Sequence, residues 1–288
     1  MAQLDSTRRN FLKASAWGAA ALVWPSYAFE KDKGAAKIGL QLWTLRNEIE
    51  NDLHSSLHRI AEIGFSGVET AFFPEYVTIE QAGKALKQAG IKVFSVHCEL
   101  PIGDQKEVML EMADAYQCNK MVWHGWPEDP RYQTEEGIKQ LADIYNQSYL
   151  FAQSNGLKFG LHNHWWEFES LPDEQYPFEI LIDLIDENIF FEIDTYWTKV
   201  AGKDPASIVG QYGKRAPLLH IKDGPGIRDA PMVAVGKGAQ NFPEIVAAAN
   251  GATEWMIVEL DECETDMFQA VKDSYDYLTK NGLAMGNI

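Results

Sequence analysis

The chain is poor in cysteine and in positive charge, and it lacks a long apolar run. Three cysteines among 288 residues, Cys98, Cys118 and Cys263, are too few for a disulfide framework. We expect mostly buried thiols, with one pair left open. With 25 Lys and Arg against 42 Asp and Glu, the net charge is −17. Such a surface repels nucleic acid and anionic lipid. No stretch reaches the roughly 20 apolar residues of a membrane span.

Two motifs that would indicate other chemistries are also missing. The first apolar segment ends Leu40-Gln41-Leu42-Trp43, without the paired histidines that many metal-dependent hydrolases carry at that place. The acidic charge argues against a DNA-repair nuclease, which needs a basic groove. A metal-dependent hydrolase and a nuclease are therefore disfavoured.

The N-terminus has the features of an export signal. Arg8-Arg9 precedes Phe11-Leu12-Lys13, an apolar run follows from Ala14 to Trp24, and small residues occur at Ser26 and Ala28. This order predicts a twin-arginine signal over 1–28, cleaved after Ala28 and read by the twin-arginine (Tat) export machinery. We therefore expect a periplasmic or exported protein without a stable membrane anchor. The segment carries three basic and one acidic residue, so its removal changes the charge from −17 to −19.

The remaining residues, 29–288, alternate short apolar runs with helical patterns eight times. This pattern predicts βαβ units, and eight of them predict a single α/β domain, a (β/α)8 TIM barrel. Gly64, Gly90 and Gly156 fit C-terminal helix caps. The predicted strands are Lys37–Leu42, Gly67–Glu69, Lys92–His97, Lys120–His124, Lys158–His162, Ile189–Asp194, Leu218–Ile221 and Trp255–Leu260.

Polar side chains follow or end every predicted strand. In a parallel barrel these ends meet at one mouth, where active sites form. Carboxylates and histidines together make a mixed N/O site for a divalent cation. The sequence therefore predicts a metal-dependent enzyme, with these strand-end residues: Gln41, Glu69, His97, Glu99, His124, His162, His164, Asp194, His220, Lys222 and Glu259.

These segments resemble the sugar phosphate isomerase/epimerase superfamily, the xylose isomerase-like barrels. The run His162-Asn163-His164-Trp165-Trp166-Glu167-Phe168 is similar to the His-Asn-His-x-x-Glu-Phe signature of one subgroup. Asp194-Thr195-Tyr196-Trp197, His220-Ile221-Lys222-Asp223 and Val235-Gly236-Lys237-Gly238 look like its later segments. Glu259 matches the carboxylate that ends strand eight, and the resemblance covers essentially all of 29–288.

The resemblance implies a divalent ion, Mn, Co, Zn or Mg, held by Glu, Asp, His and Glu. Asp194, His220 and Glu259 carry over directly. The fourth ligand is Glu167 or His162, and we predict Glu167. Catalytic roles are expected for His162, His164, Glu259 and Lys222. Substrate binding is expected for the other strand-end and rim residues: Gln41, Trp43, Glu69, His97, His124 and Trp197.

Such a site polarises a carbonyl so that a nearby base can remove the adjacent proton. The substrate is expected to be a neutral sugar, keto-sugar or glycoside, because an exported acidic enzyme seldom meets sugar phosphates. Isomerisation or epimerisation is the predicted reaction. A 3-keto-glycoside lyase or hydratase begins with the same step. A non-catalytic periplasmic sugar-binding protein would need only the aromatic residues.

The export hypothesis gives a direct prediction. Replacing Arg8 and Arg9 together by Lys should leave the precursor in the cytoplasm, because the twin-arginine route reads the arginine pair and not positive charge alone. Fractionation of a bacterial host followed by immunoblotting measures this. The double Lys13→Arg and Asp5→Asn variant is the matched control and should be exported. Unchanged export of the Arg8→Lys, Arg9→Lys variant would contradict the assignment.

Overall fold

A computed structural model describes residues 35–127, 129–172 and 174–286, so the predicted signal over 1–28 lies outside the described residues. Eight parallel strands form a closed barrel in chain order, β1 to β8. The predicted (β/α)8 barrel is therefore confirmed. The strands are β1 Lys37–Gln41, β2 Gly67–Thr70, β3 Lys92–Cys98, β4 Lys120–Trp123, β5 Lys158–His162, β6 Phe190–Asp194, β7 Leu218–Ile221 and β8 Trp255–Val258.

Helices follow the strands and cover the barrel. Gly64, Gly90 and Gly156 adopt positive φ angles of 118°, 72° and 74° just after helices, as a C-terminal cap requires. The helices are α1 Arg46–Asn51, α2 Leu53–Ile63, α3 Ile79–Gln88, α4 Gln105–Ala115, α5 Glu135–Ser154, α6 Pro177–Leu184, α7 Thr195–Val200, α8 Pro205–Tyr212, α9 Phe242–Ala249 and α10 Met267–Lys280. None of these described helices is long and apolar enough to cross a membrane.

The side chains inside the barrel change from apolar to polar between the amino and carboxyl ends of the strands. Near the amino ends a small apolar cluster fills the barrel: Phe94, Val122, Phe190, Leu218, Trp255 and Ile257. Because side chains two residues apart in a strand share a face, Phe190 is followed inward by Glu192 and then Asp194. In β7, Leu218 is followed by His220. The same alternation therefore builds an apolar floor and polar layers above it.

The larger apolar core lies between the sheet and the helices. It includes Cys98 and Cys118, which are buried free thiols, and Cys263 is a partly exposed free thiol. The expectation of unpaired buried cysteines is confirmed for two of them, and no pair forms among the three.

The floor of the barrel depends on glycines opposite large rings. A Cβ added to Gly160 in β5 would lie 2.3 Å from the ring of Phe190. We expect Gly160→Ala to destabilise the protein by about 1–3 kcal/mol, because the close-packed interior cannot accommodate another carbon without moving the ring. Urea unfolding followed by circular dichroism measures the effect. Gly210→Ala, on the exposed side of α8 where an added Cβ meets nothing closer than 3.9 Å and φ is not positive, is the control and should not lose stability. Equal stability of wild type and Gly160→Ala would contradict the packing argument.

Candidate active site and metal centre

Three side chains at the carboxyl ends of neighbouring strands bring ligand-type atoms together. Asp194 ends β6, His220 lies in β7 and Glu259 follows β8, and one atom of each lies within 4.8 Å of the others. The register pairs Asp194 with His220. His220 Nδ1 is 2.6 Å from Glu259 Oε2 and 3.9 Å from Asp194 Oδ2. We call these three residues the ligand trio.

Lys222 is buried beside the ligand trio. Its Nζ lies 2.8 Å from Glu259 Oε2, 3.2 Å from Asp194 Oδ2 and 2.8 Å from Asp261 Oδ2. Burial opposes the lysine charge, but the three carboxylates outweigh burial and raise the pKa of Lys222. Burial likewise opposes ionisation of Glu259, but Lys222 and His220 outweigh it and lower the pKa of Glu259. Both Lys222 and Glu259 therefore carry charge at neutral pH.

A second group of ligand-type atoms lies deeper in the barrel. Glu192 Oε1 is 2.6 Å from His97 Nε2, 3.1 Å from His162 Nδ1 and 3.0 Å from His220 Nε2. All four residues are buried. Burial is the largest cause that lowers the pKa of His97, to about 4, and burial also lowers the pKa of His162. Glu192 therefore joins three imidazoles at the base of the site.

Glu69 completes this deeper layer. Its Oε1 accepts a hydrogen bond from Gln41 Nε2 at 2.7 Å and lies 2.7 Å from His220 Nε2, while Ser95 donates to Oε2. Burial and then the charge of Glu192 raise the pKa of Glu69 to about 7. Burial opposes a charge on His220, but the carboxylates of Glu192 and Glu259 outweigh burial and raise the pKa of His220. A cation at the ligand trio would therefore displace the Nδ1 proton, while Glu69 and Glu192 face Nε2. Carboxylates orient histidine ligands in this way in metal sites.

The donor set fits a divalent cation. Lys222 ion-pairs with Asp194 Oδ2 and Glu259 Oε2, but neither oxygen makes a hydrogen bond of normal geometry. Each carboxylate oxygen also has more than one lone pair, so the ion pair leaves capacity for a cation. Two carboxylates and imidazole nitrogen suit Mn, Co, Zn or Mg-type ions. Within the described ranges, these buried atoms of the two groups have no hydrogen-bond partner: Glu192 Oε2, Asp194 Oδ2, His162 Nδ1, His220 Nδ1 and Glu259 Oε2.

The structure separates the two candidates for the fourth ligand. His162 belongs to the deeper group, and it also approaches the ligand trio, because its Nε2 lies 3.9 Å from Asp194 Oδ2. Glu167 belongs to neither group. Its Oε2 accepts a hydrogen bond from the backbone N–H of His164 at 2.9 Å, and the side chain lines a separate small cavity with Tyr132 and other residues. The predicted metal role of Glu167 is thus not supported by its position.

The remaining predicted substrate residues divide by burial. Gln41 and Glu69 are fully buried in the deeper layer, where they orient His220 and do not line the mouth. Asp194 and His220 of the ligand trio are equally buried, so the substrate contacts expected for Gln41 and Glu69 stay predictions. His97 also lies in that layer, whereas Trp43 is 37% exposed. The exposed fractions of Gln41 and Trp43 differ because Gln41 ends β1 inside the barrel, whereas Trp43 lies in the turn that follows the strand.

Aromatic rings surround the predicted catalytic His164. Its ring stacks on Trp166 at a centroid distance of 4.1 Å, and Trp165 lies 4.8 Å from Trp197. Trp197 also faces Lys222, whose Nζ is 5.2 Å from the ring centroid. Burial and then Lys222 lower the pKa of His164, so its imidazole is neutral. His164 Nδ1 has no hydrogen-bond partner in the described part of the chain.

Asp223 and the glycine loop have a structural role. Oδ2 of Asp223 accepts hydrogen bonds from the backbone N–H groups of Gly236 and Gly238 at 2.9 Å each, and Oδ1 accepts from Gly224 at 2.9 Å. A Cβ at Gly238 would lie 2.2 Å from Oδ1, so the loop must approach without a side chain. Asp223 follows Lys222 in the chain but is used by the loop, and Lys222 donates to Asp261.

Two functional residues were not assigned roles from the sequence. Glu192 precedes Asp194 by two residues, and strand alternation alone places both on the same inward face. Asp261 follows Glu259 by two residues and supplies the third carboxylate to Lys222. The period of two was visible in both segments and could have identified them.

The buried position of Glu167 leads to a stability prediction. Burial raises the pKa of Glu167 to about 8, while an unfolded glutamate titrates near 4.3. Below both pKa values the folded and unfolded states are equally protonated. As pH rises towards about 8, only the unfolded state releases the proton, so the wild type loses stability. Relative to wild type, Glu167→Gln should gain on the order of a few kcal/mol between pH 4 and pH 8.

Urea unfolding of both proteins at several pH values measures this gain. Glu169→Gln, an exposed neighbour, is the control and should show no such rise. A pH-independent difference between Glu167→Gln and wild type would contradict the buried, protonated state.

Comparison with known proteins agrees with this architecture. A solved sugar phosphate isomerase/epimerase from Parabacteroides distasonis is 25% identical, covers 91% of this chain and 99% of its own, and superposes with a TM-score of 0.72. The structure of L-ribulose 3-epimerase, 15% identical, covers 85% of this chain and 94% of its own with a TM-score of 0.65, which shows the fold alone.

A curated relative, the inosose dehydratase of Clostridium beijerinckii, is 24% identical over 172 residues, or 53% of this chain. The matched part of the chain spans 55% of that relative, about half its length. The xylose isomerase-like TIM barrel family model matches residues 57–281, and the chain belongs to this family.

Proposed function

We propose that the protein is a divalent-metal-dependent enzyme of the isomerase/epimerase type that acts on a neutral sugar, keto-sugar or glycoside. The observation that carries the proposal is the ligand trio: Asp194 Oδ2, His220 Nδ1 and Glu259 Oε2 converge in a buried site without hydrogen-bond partners among the described residues. The similarity to sugar isomerases and epimerases supports a carbohydrate substrate.

His162 is the fourth ligand in this proposal. Its ring lies 4.6 Å from that of His220, and Nε2 approaches Asp194 at 3.9 Å. The facing carboxylate of Glu192 at Nδ1 orients the imidazole, as Glu69 does for His220. The sequence expectation of a catalytic role for His162 is thereby replaced by a ligand role, and Glu167 becomes a buried structural acid.

The reaction begins with removal of a proton next to a carbonyl. The bound ion supplies Lewis-acid polarisation of that carbonyl. Lys222 and His220 lower the pKa of Glu259, so this carboxylate stays ionised and would hold the ion rather than act as a strong base. The neutral His164, whose Nδ1 has no hydrogen-bond partner among the described residues, is the group that can accept and return the proton. Lys222 keeps its positive charge and stabilises negative charge that develops on the substrate oxygens.

The charges around the mouth support a neutral substrate. Lys222 is neutralised by three carboxylates, and Arg46 is engaged with the Trp43 ring and the carbonyl of Asp261. The overall charge of −17 also disfavours an anionic ligand. Export through the twin-arginine route, with the protein in the periplasm, remains part of the proposal and accounts for the choice of a neutral sugar over a sugar phosphate.

A lyase or hydratase acting on a 3-keto-glycoside is the second candidate. The similarity to an inosose dehydratase favours it, because dehydration also starts with proton removal beside a carbonyl. His164, once it has accepted the proton removed beside the carbonyl, would return that proton to the leaving oxygen. A non-catalytic sugar-binding protein is the third candidate, and it needs no metal.

Metal analysis of the folded protein tests the proposal. Wild type should contain about one divalent ion per chain. Asp194→Ala, His220→Ala and His162→Ala should lose it because each removes a ligand, while Glu167→Gln should retain it. The loaded wild type should also exchange the proton next to the carbonyl of a keto-sugar with solvent deuterium, observed by NMR.

Circular dichroism of each variant verifies the fold. Full metal content in Asp194→Ala or His220→Ala would refute the ligand trio, and loss in Glu167→Gln with retention in His162→Ala would reverse the fourth ligand. A wild type that binds no metal under any loading condition would favour the sugar-binding protein. Deuterium exchange with an isomeric product indicates an isomerase or epimerase, and loss of water or of the glycosidic group indicates a lyase.

A further inference from the structure

An exposed aromatic patch lies at the mouth of the barrel. Phe72 follows β2 and Trp126 follows β4, and they are 43% and 51% exposed. Their rings stack at a centroid distance of 6.0 Å and an interplanar angle of 18°. Both rings meet the imidazole of His124 edge-on, at 5.2 Å and 4.6 Å. We call Phe72, Trp126, His124 and Glu99 the outer patch.

The polar atoms of the outer patch are hydrogen-bond acceptors. His124 Nδ1 is 3.0 Å from the carbonyl oxygen of Gly125, so Nδ1 must donate and Nε2 carries the lone pair. His124 is only 8% exposed, and its Nε2 has no hydrogen-bond partner in the described part of the chain. Glu99 accepts from Trp126 Nε1 at 3.0 Å and lies 3.7 Å from His124 Nε2. The patch therefore lacks a donor for His124.

A row of imidazoles joins the outer patch to the proposed reaction site. The His124 ring lies 6.0 Å from that of His97, which lies 5.3 Å from His162 and 5.4 Å from His220. Two rings thus separate Phe72 and Trp126 from the ligand trio. A single sugar ring bound at the trio would leave the outer patch uncovered.

We propose that the outer patch binds a second, neutral sugar ring, so that the substrate is a glycoside of at least two rings. Resting on the proposed function, this inference adds the size of the substrate. The exposed faces of Phe72 and Trp126 contact the C–H face of the outer sugar. Its hydroxyl groups donate to Nε2 of His124, which gains the donor it lacks, and to the lone pairs of Glu99 that Trp126 leaves free.

The chemistry of the patch selects its ligand. Two acceptors without a cation among the four residues reject phosphate and carboxylate groups, which would face Glu99. A purely apolar partner would leave the buried Nε2 of His124 without a donor, which carries a desolvation cost. A ring with both a C–H face and hydroxyl donors satisfies all four side chains.

Calorimetric titration of the metal-loaded full chain tests the inference with glucose, methyl β-glucoside, maltose, cellobiose and trehalose. We expect at least one disaccharide to bind about 10-fold more tightly than glucose, equivalent to about 1.4 kcal/mol. Phe72→Ala and Trp126→Ala should each weaken that disaccharide about 10-fold and leave glucose within about twofold. Trp126→Phe retains a ring and should weaken it less than Trp126→Ala.

Leu150→Ala is the matched control, because Leu150 is an exposed apolar residue on α5, 58% exposed, and should change neither affinity. Equal affinity of wild type for all five sugars would overturn the inference, as would equal losses for glucose and disaccharide in the two alanine variants. A wild-type dimer in sedimentation that Trp126→Ala dissociates would also overturn it, since the patch would then be an interface between copies.

The outcomes separate this inference from the proposed function. If the wild type prefers a disaccharide but contains no metal and exchanges no proton, the outer sugar site stands and the enzymatic proposal fails. If the loaded protein exchanges the proton but binds glucose as tightly as any disaccharide, the enzymatic proposal stands and the outer sugar site fails.

Discussion

The burial of several carboxylates inside one barrel is the constraint on which the site depends. Glu69, Glu192 and Asp194 have no solvent exposure and Glu259 has 4%. Buried anions are costly unless they are paired, protonated or bound to metal. The structure uses the first two solutions, because Lys222 faces Asp194 and Glu259, and burial raises the pKa of Glu69 to about 7. The lone pairs that remain at the ligand trio are those that a divalent cation would bind.

The two deep carboxylates, Glu69 and Glu192, contact the two imidazoles that the proposal assigns as ligands, His162 and His220. Glu69 and Glu192 face Nε2 of His220, and Glu192 also faces Nδ1 of His162. Carboxylates in these positions orient the two imidazole rings that the proposal assigns to the ion. Glu69 on β2, which Gln41 on β1 holds by a hydrogen bond, contacts His220 on β7 through the barrel interior, so the orientation of His220 depends on strands that are not its neighbours in the sheet. Closure of the barrel is thus required for the ligand geometry.

The sequence predicted the architecture well because the relevant signals are local. Strand and helix periods, and glycine caps such as Gly64, depend on neighbouring residues, and the barrel follows from their order. The strand-end position of Asp194, His220 and Glu259 was equally local, and the structure brings them together. The depth of a side chain is not local, since it depends on the tilt of the strands and on what fills the floor. The sequence therefore did not reveal that Gln41 and Glu69 lie in the buried layer next to His220.

The residues that follow β5 are a second case in which the sequence alone did not determine the position of a side chain. From sequence, Glu167 and His162 were interchangeable as ligands, because a loop of five residues can fold either way. In the structure Glu167 lies in a short 3-10 turn over Trp166–Phe168, and its carboxyl accepts a hydrogen bond from the backbone N–H of His164. Stacking of His164 on Trp166 stabilises that turn. The proposal that His162 and not Glu167 is the fourth ligand thus depends on a backbone hydrogen bond and a ring contact, and neither leaves a periodic pattern in the sequence.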